Sequence, residues 1–290
     1  MANGIMTGTG IETDPYLIED CYDFLAMNDT TTYGNGNYFK LVSDIDFNDH
    51  ETYRFGFNNE MIINRTAILD GNNKSIRNLI LKNYSSTRSW IVFGNSGLIK
   101  NCDMVNVIFI NCVSSYGFIQ NNIQNCNMGI SLHNSNTFSV FKGFQKTDCT
   151  YNIKGYLTNE TNVQFDCQME RVHINLDLKI VASKSNGLFY HSSSFKDSYI
   201  TGRVENVGSN VPYSFFSQFA MNNSYIAVDY IDPNTTELTA TDSNITTVSF
   251  IDTDLLNGIT LTTETDKLYL LTTEQCKDAA YLQEIGFLAV

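Results

Sequence analysis

Basic residues are scarce in this chain of 290 residues, in which 18 Lys and Arg stand against 31 Asp and Glu. The formal net charge of −13 repels phosphate groups, so it disfavours both nucleic acid and anionic lipid as partners. No segment approaches the ~20 consecutive apolar residues of a membrane-spanning helix. The first residues, Met1 to Gly10, lack the charged start and apolar middle of a signal peptide. These absences predict a soluble protein made in the cytosol.

Metal-binding and catalytic spacings are also missing. The seven cysteines form an odd set without a CxxC pair, which argues against a zinc site and a complete disulfide framework, and we interpret them as small buried residues. The four histidines lie far apart. Asp44 and Asp46 lie in an acidic segment that resembles a calcium site, but we expect them to bind turn amides. We therefore predict no metal and no cofactor.

What the chain does contain is an internal repeat. An Asn or Asp precedes a Cys or Ser in Ile99-Lys-Asn-Cys102, Ile123-Gln-Asn-Cys126, Lys146-Thr-Asp-Cys149, Phe195-Lys-Asp-Ser198 and Met221-Asn-Asn-Ser224. Each copy runs into alternating apolar and polar residues, the pattern of a strand with one buried face. Short strands that recur every 22 to 27 residues or so form the turns of a coil. The predicted fold is all-β: a right-handed parallel β-helix with short capping helices at both ends.

Residues one period apart should lie side by side in such a coil. On the outward face, this register predicts a column of His173, Tyr199 and Tyr225 and a charged column of Asp177, Arg203 and Asp229. The aromatic column offers either a strip for a sugar ring or a structural or interface surface. The Asn and Asp residues before the Cys and Ser positions predict a structural ladder at a corner, and Asn78 joins it because it lies 23 residues before Asn101. The ladder comprises Asn78, Asn101, Asn125, Asp148, Asp197 and Asn223.

The repeat also divides the chain into four parts. Residues 1–15 are expected to form a flexible arm, residues 16–63 an N-terminal cap of a helix and strands, residues 64–271 the β-helix, and residues 272–290 a C-terminal helical cap. Thr272-Thr-Glu-Gln275 is a capping box that predicts a helix over 274–284.

Three segments carry a family resemblance: Gly8-Thr-Gly-Ile-Glu-Thr-Asp-Pro-Tyr-Leu-Ile18, Tyr38-Phe-Lys-Leu-Val-Ser-Asp-Ile-Asp-Phe47 and Ile68-Leu-Asp-Gly71. At these segments the chain resembles parallel β-helix proteins with GLUG-like repeats, which occur on bacteriophage particles and bacterial surfaces. The Gly-Leu-x-Gly core survives only loosely, as in Gly187-Leu-Phe. The resemblance implies tail, fibre, decoration or adhesin modules and supplies no shared catalytic residues.

We expect a non-enzymatic structural protein of a phage virion that presents a rigid β-helix for host attachment or particle assembly. Its expected partners are other virion proteins, with a host cell-surface glycan and a homotrimer as further options, and its location is the virion. A polysaccharide depolymerase and a bacterial adhesin module are the alternatives. A depolymerase needs two carboxylates about 5 to 9.5 Å apart, and Arg203 between Asp177 and Asp229 would hold both ionised, which does not suit a general acid.

Overall fold

The coil is seen in a computed structural model of the chain. It describes residues 4–58, 63–83, 85–86, 91–93, 97–114, 122–137, 141–157, 163–181, 189–190, 194–212, 214–217, 220–240, 245, 247–263 and 265–287.

Parallel strands wind into a β-solenoid of about 7 turns with few short helices, as the repeat predicts. The N-terminal elements are β1 (Tyr16–Ile18), α1 (Cys21–Ala26), α2 (Thr30–Tyr33), β2 (Asn37–Leu41), β3 (Ile45–Asp46), the 3-10 helices Phe47–Asp49 and Tyr53–Phe55, and β4 (Phe57–Asn58).

The body of the coil consists of strands that pair with the preceding and following turns. They are β5 (Ile63–Arg65), β6 (Ala67–Arg77), β7 (Ile80–Lys82), β8 (Ser85–Ser86), β9 (Ile91–Phe93), β10 (Leu98–Ile110), β11 (Val113–Ser114), β12 (Asn122–Gln124), β13 (Asn127–Thr137), β14 (Phe141–Leu157), β15 (Val163–Ile180), β16 (Phe189–Tyr190), β17 (Ser194–Lys196), β18 (Tyr199–Asn206), β19 (Phe216–Ser217), β20 (Ala220–Asn222), β21 (Tyr225–Ile231) and β22 (Glu237–Ala240).

Three more strands, a 3-10 helix and two short α-helices end the coil. They are β23 (Ser249–Asp252), the 3-10 helix Asp254–Leu256, β24 (Thr260–Thr263), β25 (Leu268–Leu271), α3 (Thr273–Lys277) and α4 (Ala279–Glu284).

The core is a set of inward columns, because alternate residues of each strand point into the coil. One buried column contains Ile76, Met104, Met128, Tyr151, Ile174, Ile200, Ile226 and Ile251. A neighbouring column contains Leu69, Ile99, Ile123, Lys146, Met169, Phe195 and Met221. Lys146 is 0% exposed there, and burial lowers the pKa of its ammonium group.

Residues 4–15, for which a flexible arm is predicted, contact the N-terminal cap in the structure. The Met6 amide donates to the Tyr33 hydroxyl at 3.0 Å, and that hydroxyl donates to the Gly4 carbonyl at 2.7 Å. The Met6 side chain is buried, and the Leu17 amide bonds the Thr7 carbonyl at 2.9 Å. The segment is therefore part of the N-terminal cap.

Parallel pairing also begins before residue 64. Strand β2 pairs with β1 on one side and with β6 on the other, so the N-terminal segment supplies the first turn. At the other end the capping box of Thr272 and Gln275 is present, but the helix that follows is split. Asp278 ends α3 and caps α4 through the amides of Ala280 and Tyr281.

Candidate functional site

The outward face of β13, β14, β15, β18 and β21 carries the residues that the sequence singles out. Their register aligns His173 with Tyr199 and Tyr225, and Asp177 with Arg203 and Asp229. A column of smaller side chains lies between these two, formed by Gly129, Asn152, Asn175, Thr201 and Ala227. The columns thus form one surface along the coil.

The aromatic column is a continuous stack. The His173 and Tyr199 rings lie 4.2 Å apart at 25°, and the Tyr199 and Tyr225 rings lie 5.0 Å apart at 6°. Phe250 extends the stack at 5.0 Å from Tyr225, and Phe287, which follows α4, packs edge-on against Phe250 at 4.9 Å. Near-parallel rings at this spacing cover one another's faces.

Because their faces are occupied, these rings present their edges to solvent and do not form the flat strip that sugar stacking needs. The rings of His173, Tyr199 and Tyr225 are only partly exposed. Burial lowers the pKa of His173 and raises that of Tyr225. The geometry favours the structural interpretation of the column.

The charged column is a network of exposed ion pairs. Arg203 lies 3.8 Å from an oxygen of Asp229 and 3.9 Å from one of Glu205, and Lys179 lies 3.2 Å from Glu205. Arg203 is aligned between Asp177 and Asp229. The two carboxylates are therefore two strands apart with a cation between them, which is not the arrangement of an acid and its nucleophile or base.

The corner ladder is built from residues in the left-handed region, where Asn and Asp are the favoured non-glycine residues. Asn101 has a φ of 55° and Asn125 a φ of 52°. The amide of Asn125 donates to Asn101 at 2.8 Å, and that of Asn223 donates to Asp197 at 2.7 Å. Side-chain hydrogen bonds thus join consecutive turns at this corner.

Arg171 occupies the ladder position between Asp148 and Asp197, which the sequence reasoning missed. Its φ is 52°, and its guanidinium donates to both oxygens of Asp148, at 2.6 and 3.1 Å. The hydrogen bond from Arg171 lowers the pKa of Asp148. Its spacing of 23 residues from Asp148 was the available signal, but an arginine is not among the Asn and Asp residues that define the repeat.

Asn78 does not belong to this ladder, which is a correction. The register aligns Ile99 with Leu69 and Met104 with Ile76. Asn78, two residues after Ile76, therefore lies opposite residues that follow Met104 and not opposite Asn101. Asn78 instead accepts from Asn106 at 3.2 Å and donates to Asp46 at 2.7 Å, so it lies in a second ladder. The 23-residue spacing from Asn78 to Asn101 placed Asn78 in the wrong ladder, because the first turn has a different length.

A third ladder was not foreseen. Asn111 donates to Asn83 at 3.3 Å, and Asn134 donates to Asn111 at 3.0 Å. Cys112 and Ser135 follow two of these residues, so the Asn-Cys or Asn-Ser pair recurs at another corner. This second use of the same dipeptide was visible in the sequence.

The Cys and Ser residues behind the first ladder are buried. None of the seven cysteines, all of which lie in the described ranges, forms a disulfide, and burial raises the pKa of Cys126 to about 12. Ser198 accepts from the Val172 amide at 2.9 Å and donates to the Lys196 carbonyl at 2.6 Å. A small side chain at this corner therefore satisfies backbone groups inside the coil.

Two adjoining depressions on the outward face were not predicted. One, of about 270 Å³, is lined by Asn106, Gly129, Ile130, Ser131, Asn152, Ile153, Lys154, Asn175 and Asp177. The other, of about 580 Å³, is lined by Leu132, His133, Asn134, Lys154, Gly155, Tyr156, Asp177 and Lys179. A glycine at an outward strand position, Gly129, was the only sequence signal for this groove.

Metal ligands do not gather within the described ranges: no group of three or more His, Cys, Asp or Glu could hold an ion there. Asp44 and Asp46 bind backbone amides, as expected, since Asp44 accepts from Ser75 and Asp46 from Asn48, both at 2.9 Å. The Ser75 amide is the main cause of the lowered pKa of Asp44. None of the described helices has the length and apolar character needed to cross a membrane.

Comparison with known proteins adds little to this geometry. No family model matches the chain, and no curated protein does. Among solved structures, the chain is similar to the crystal structure of a "putative immunoglobulin A1 protease from Bacteroides ovatus", with 17% identity and a TM-score of 0.37. The similarity covers 93% of this chain and 87% of that one.

Proposed function

We propose that the chain is a non-enzymatic structural protein of a bacteriophage virion, a fibre, tail-appendage or decoration subunit. Its β-helix would present a rigid surface for host attachment or particle assembly. The observation that carries the proposal is the set of ladders that join turn to turn, since these hold the strand face in one shape. The resemblance to GLUG-like β-helix proteins supports the virion as the location, and other virion proteins are the proposed partners.

The charged column argues against the depolymerase alternative. Asp177 and Asp229 lie two strands apart with the Arg203 cation aligned between them, which is not the arrangement of a general acid and its nucleophile or base. A bacterial adhesin module would need the same rigid surface. Location therefore distinguishes it from a virion protein.

The test is to find where the protein resides. An antibody raised against the purified chain is applied to density-gradient fractions of particles released from the bacterial strain that carries the gene. We expect the chain to sediment with the particles at a constant ratio to the capsid protein. Detection on the surface of intact cells and not in particles would overturn the proposal in favour of an adhesin. Release of reducing ends from the strain's polysaccharide by the purified chain would favour a depolymerase.

A further inference from the structure

The two depressions on the outward face form one groove, because both are lined by Lys154 and Asp177. Lys154 of β14 is aligned with Asp177 of β15, so they lie on adjacent strands. The groove runs from the small residues of β13 to Tyr156, which is 37% exposed. It lies beside the aromatic stack and is separate from it.

Gly129 opens one end of this groove. A Cβ atom at Gly129 would meet no heavy atom closer than the Asn106 nitrogen at 3.7 Å, so neither packing nor backbone conformation requires glycine. By contrast, a Cβ at Gly155 would lie 1.9 Å from the Leu132 carbonyl oxygen. The absent side chain at Gly129 has the effect of leaving space on the outward face.

Ser131 supplies a hydroxyl to the same space. The residue is only 6% exposed, yet it lines the groove. Its hydroxyl has no hydrogen-bond partner among the residues that the structure describes. The hydroxyl reaches the groove and can donate to, or accept from, a group that enters it.

Lys154 and Asp177 add a donor and an acceptor. Both side chains are exposed, and neither takes part in an ion pair within the described part of the chain. Lys179, at the far end, is already paired with Glu205 at 3.2 Å. The groove thus offers one free ammonium group and one free carboxylate, whose charges cancel.

We propose that this groove binds a neutral oligosaccharide, which deepens the attachment role and rests on it. A sugar hydroxyl can accept a hydrogen bond from Lys154 and donate one to Asp177. An anion can only accept from Lys154, and a cation can only donate to Asp177. The Ser131 hydroxyl and the Asn152 and Asn175 amides add polar groups that match ring hydroxyls. Tyr156 adds an exposed ring on which an apolar sugar face can pack.

The test uses the purified full chain and a panel of defined probes: neutral trisaccharides of glucose, galactose and N-acetylglucosamine, with trigalacturonate as the acidic comparison. We expect saturable binding of a neutral trisaccharide by titration calorimetry, changing little with salt because the ligand carries no charge. No binding of any neutral probe at millimolar concentration, or stronger and salt-sensitive binding of trigalacturonate, would overturn the proposal.

Three substitutions locate the binding site. Gly129→Leu fills the groove and should weaken binding at least tenfold, while Lys154→Gln and Asp177→Asn should each weaken it by about tenfold, the effect of a lost hydrogen bond to a charged group. Ala227→Leu places the same leucine side chain on the same column outside the groove and should leave binding unchanged. Equal affinity of the wild type and Gly129→Leu, with both folded by circular dichroism, would contradict the groove.

This experiment is independent of the location test. A chain that sediments with particles but binds no neutral sugar would refute the groove and leave the virion role standing. A chain that binds the sugar but occurs only on cell surfaces would refute the virion role alone.

Discussion

Arg203 connects the charged column on the coil surface, and reversing its charge tests that role. Arg203→Glu would place acidic groups on three adjacent strands, at Asp177, Arg203→Glu and Asp229, where like charges repel. The pairs are exposed, so we expect a loss of only about 1 kcal/mol in the free energy of unfolding at low salt. Urea unfolding at low and high salt measures it, and salt should restore part of the loss.

Arg203→Gln is the matched control, since it removes the cation without adding an anion. Its free energy of unfolding should fall by less than that of Arg203→Glu and should depend less on salt. A charge-reversed variant whose unfolding does not respond to salt would show that these side chains do not interact.

His173 makes stability depend on pH. Burial lowers its pKa from 6.5, so the unfolded chain binds this proton more readily than the folded chain. The stabilising contribution of the neutral His173 side chain is fully present above about pH 6.5. It is lost as the pH falls through the lower pKa of His173 in the folded state. His173→Tyr continues the tyrosine stack without that proton, and its Tm should fall less between pH 7 and pH 5 than the wild-type Tm.

His133→Asn is the control for this experiment, because His133 is exposed. It should keep the wild-type pH dependence. Parallel Tm curves for the wild type and His173→Tyr would rule out His173 as the source.

Individual side chains show how far sequence could predict the site. The outward columns followed from the period-2 alternation, because register alone determines which residues are neighbours. Lys146 could not be foreseen in the core, since a lysine there contradicts the average preference for apolar residues. The groove was also missed, because Ser131 is recognisable only once its burial and lack of a partner are known.

The corners of the coil depend on residues that tolerate a left-handed backbone. Asn125 has a φ of 52°. An L-residue without a stabilising side chain adopts this left-handed conformation at a free-energy cost of about 1 to 2 kcal/mol. Asn125→Ala also loses the amide bond to Asn101, so we expect a destabilisation of about 2 kcal/mol in urea unfolding.

Asn125→Gly separates the two contributions. Glycine adopts the left-handed conformation freely but lacks the amide, so its loss should be smaller than that of alanine. Equal losses for the two variants would mean that backbone conformation is unimportant at this corner.

Elements were predicted best where the repeat length is regular. Along the series β12, β14, β15, β17 and β20, paired residues lie 23 to 26 positions apart, as the Cys and Ser spacing indicates. The first turns differ because β10 pairs with β6 through a register shift between Lys100 and Cys102. The C-terminal helix was predicted as one piece, but Asp278 offers its carboxylate to the amides of the next helix and so divides it.

Phe287, which is 8% exposed, packs edge-on against Phe250 and Tyr225 and so joins the C-terminal cap to the outward face of the last turns. Phe287→Ala should destabilise this cap by about 3 kcal/mol, the lower range for truncating a buried phenylalanine. The variant also uncovers the Phe250 and Tyr225 rings, and these exposed apolar surfaces should promote association of one molecule with another. Thermal unfolding and light scattering measure the two effects.

Phe287→Leu keeps most of the apolar cover and should remain monodisperse to the same degree as the wild type. If Phe287→Ala matched the wild type in both Tm and scattering, the cap would have no role in protecting this end.

Each strand of the coil pairs with one from the turn before it, beginning with β1 and β2. During translation the N-terminal turns therefore leave the ribosome first and offer a complete strand edge to the segment that follows. A turn of 23 to 26 residues takes about 1 to 5 seconds to synthesise. The order of synthesis is therefore also the order in which turns become available to extend the coil.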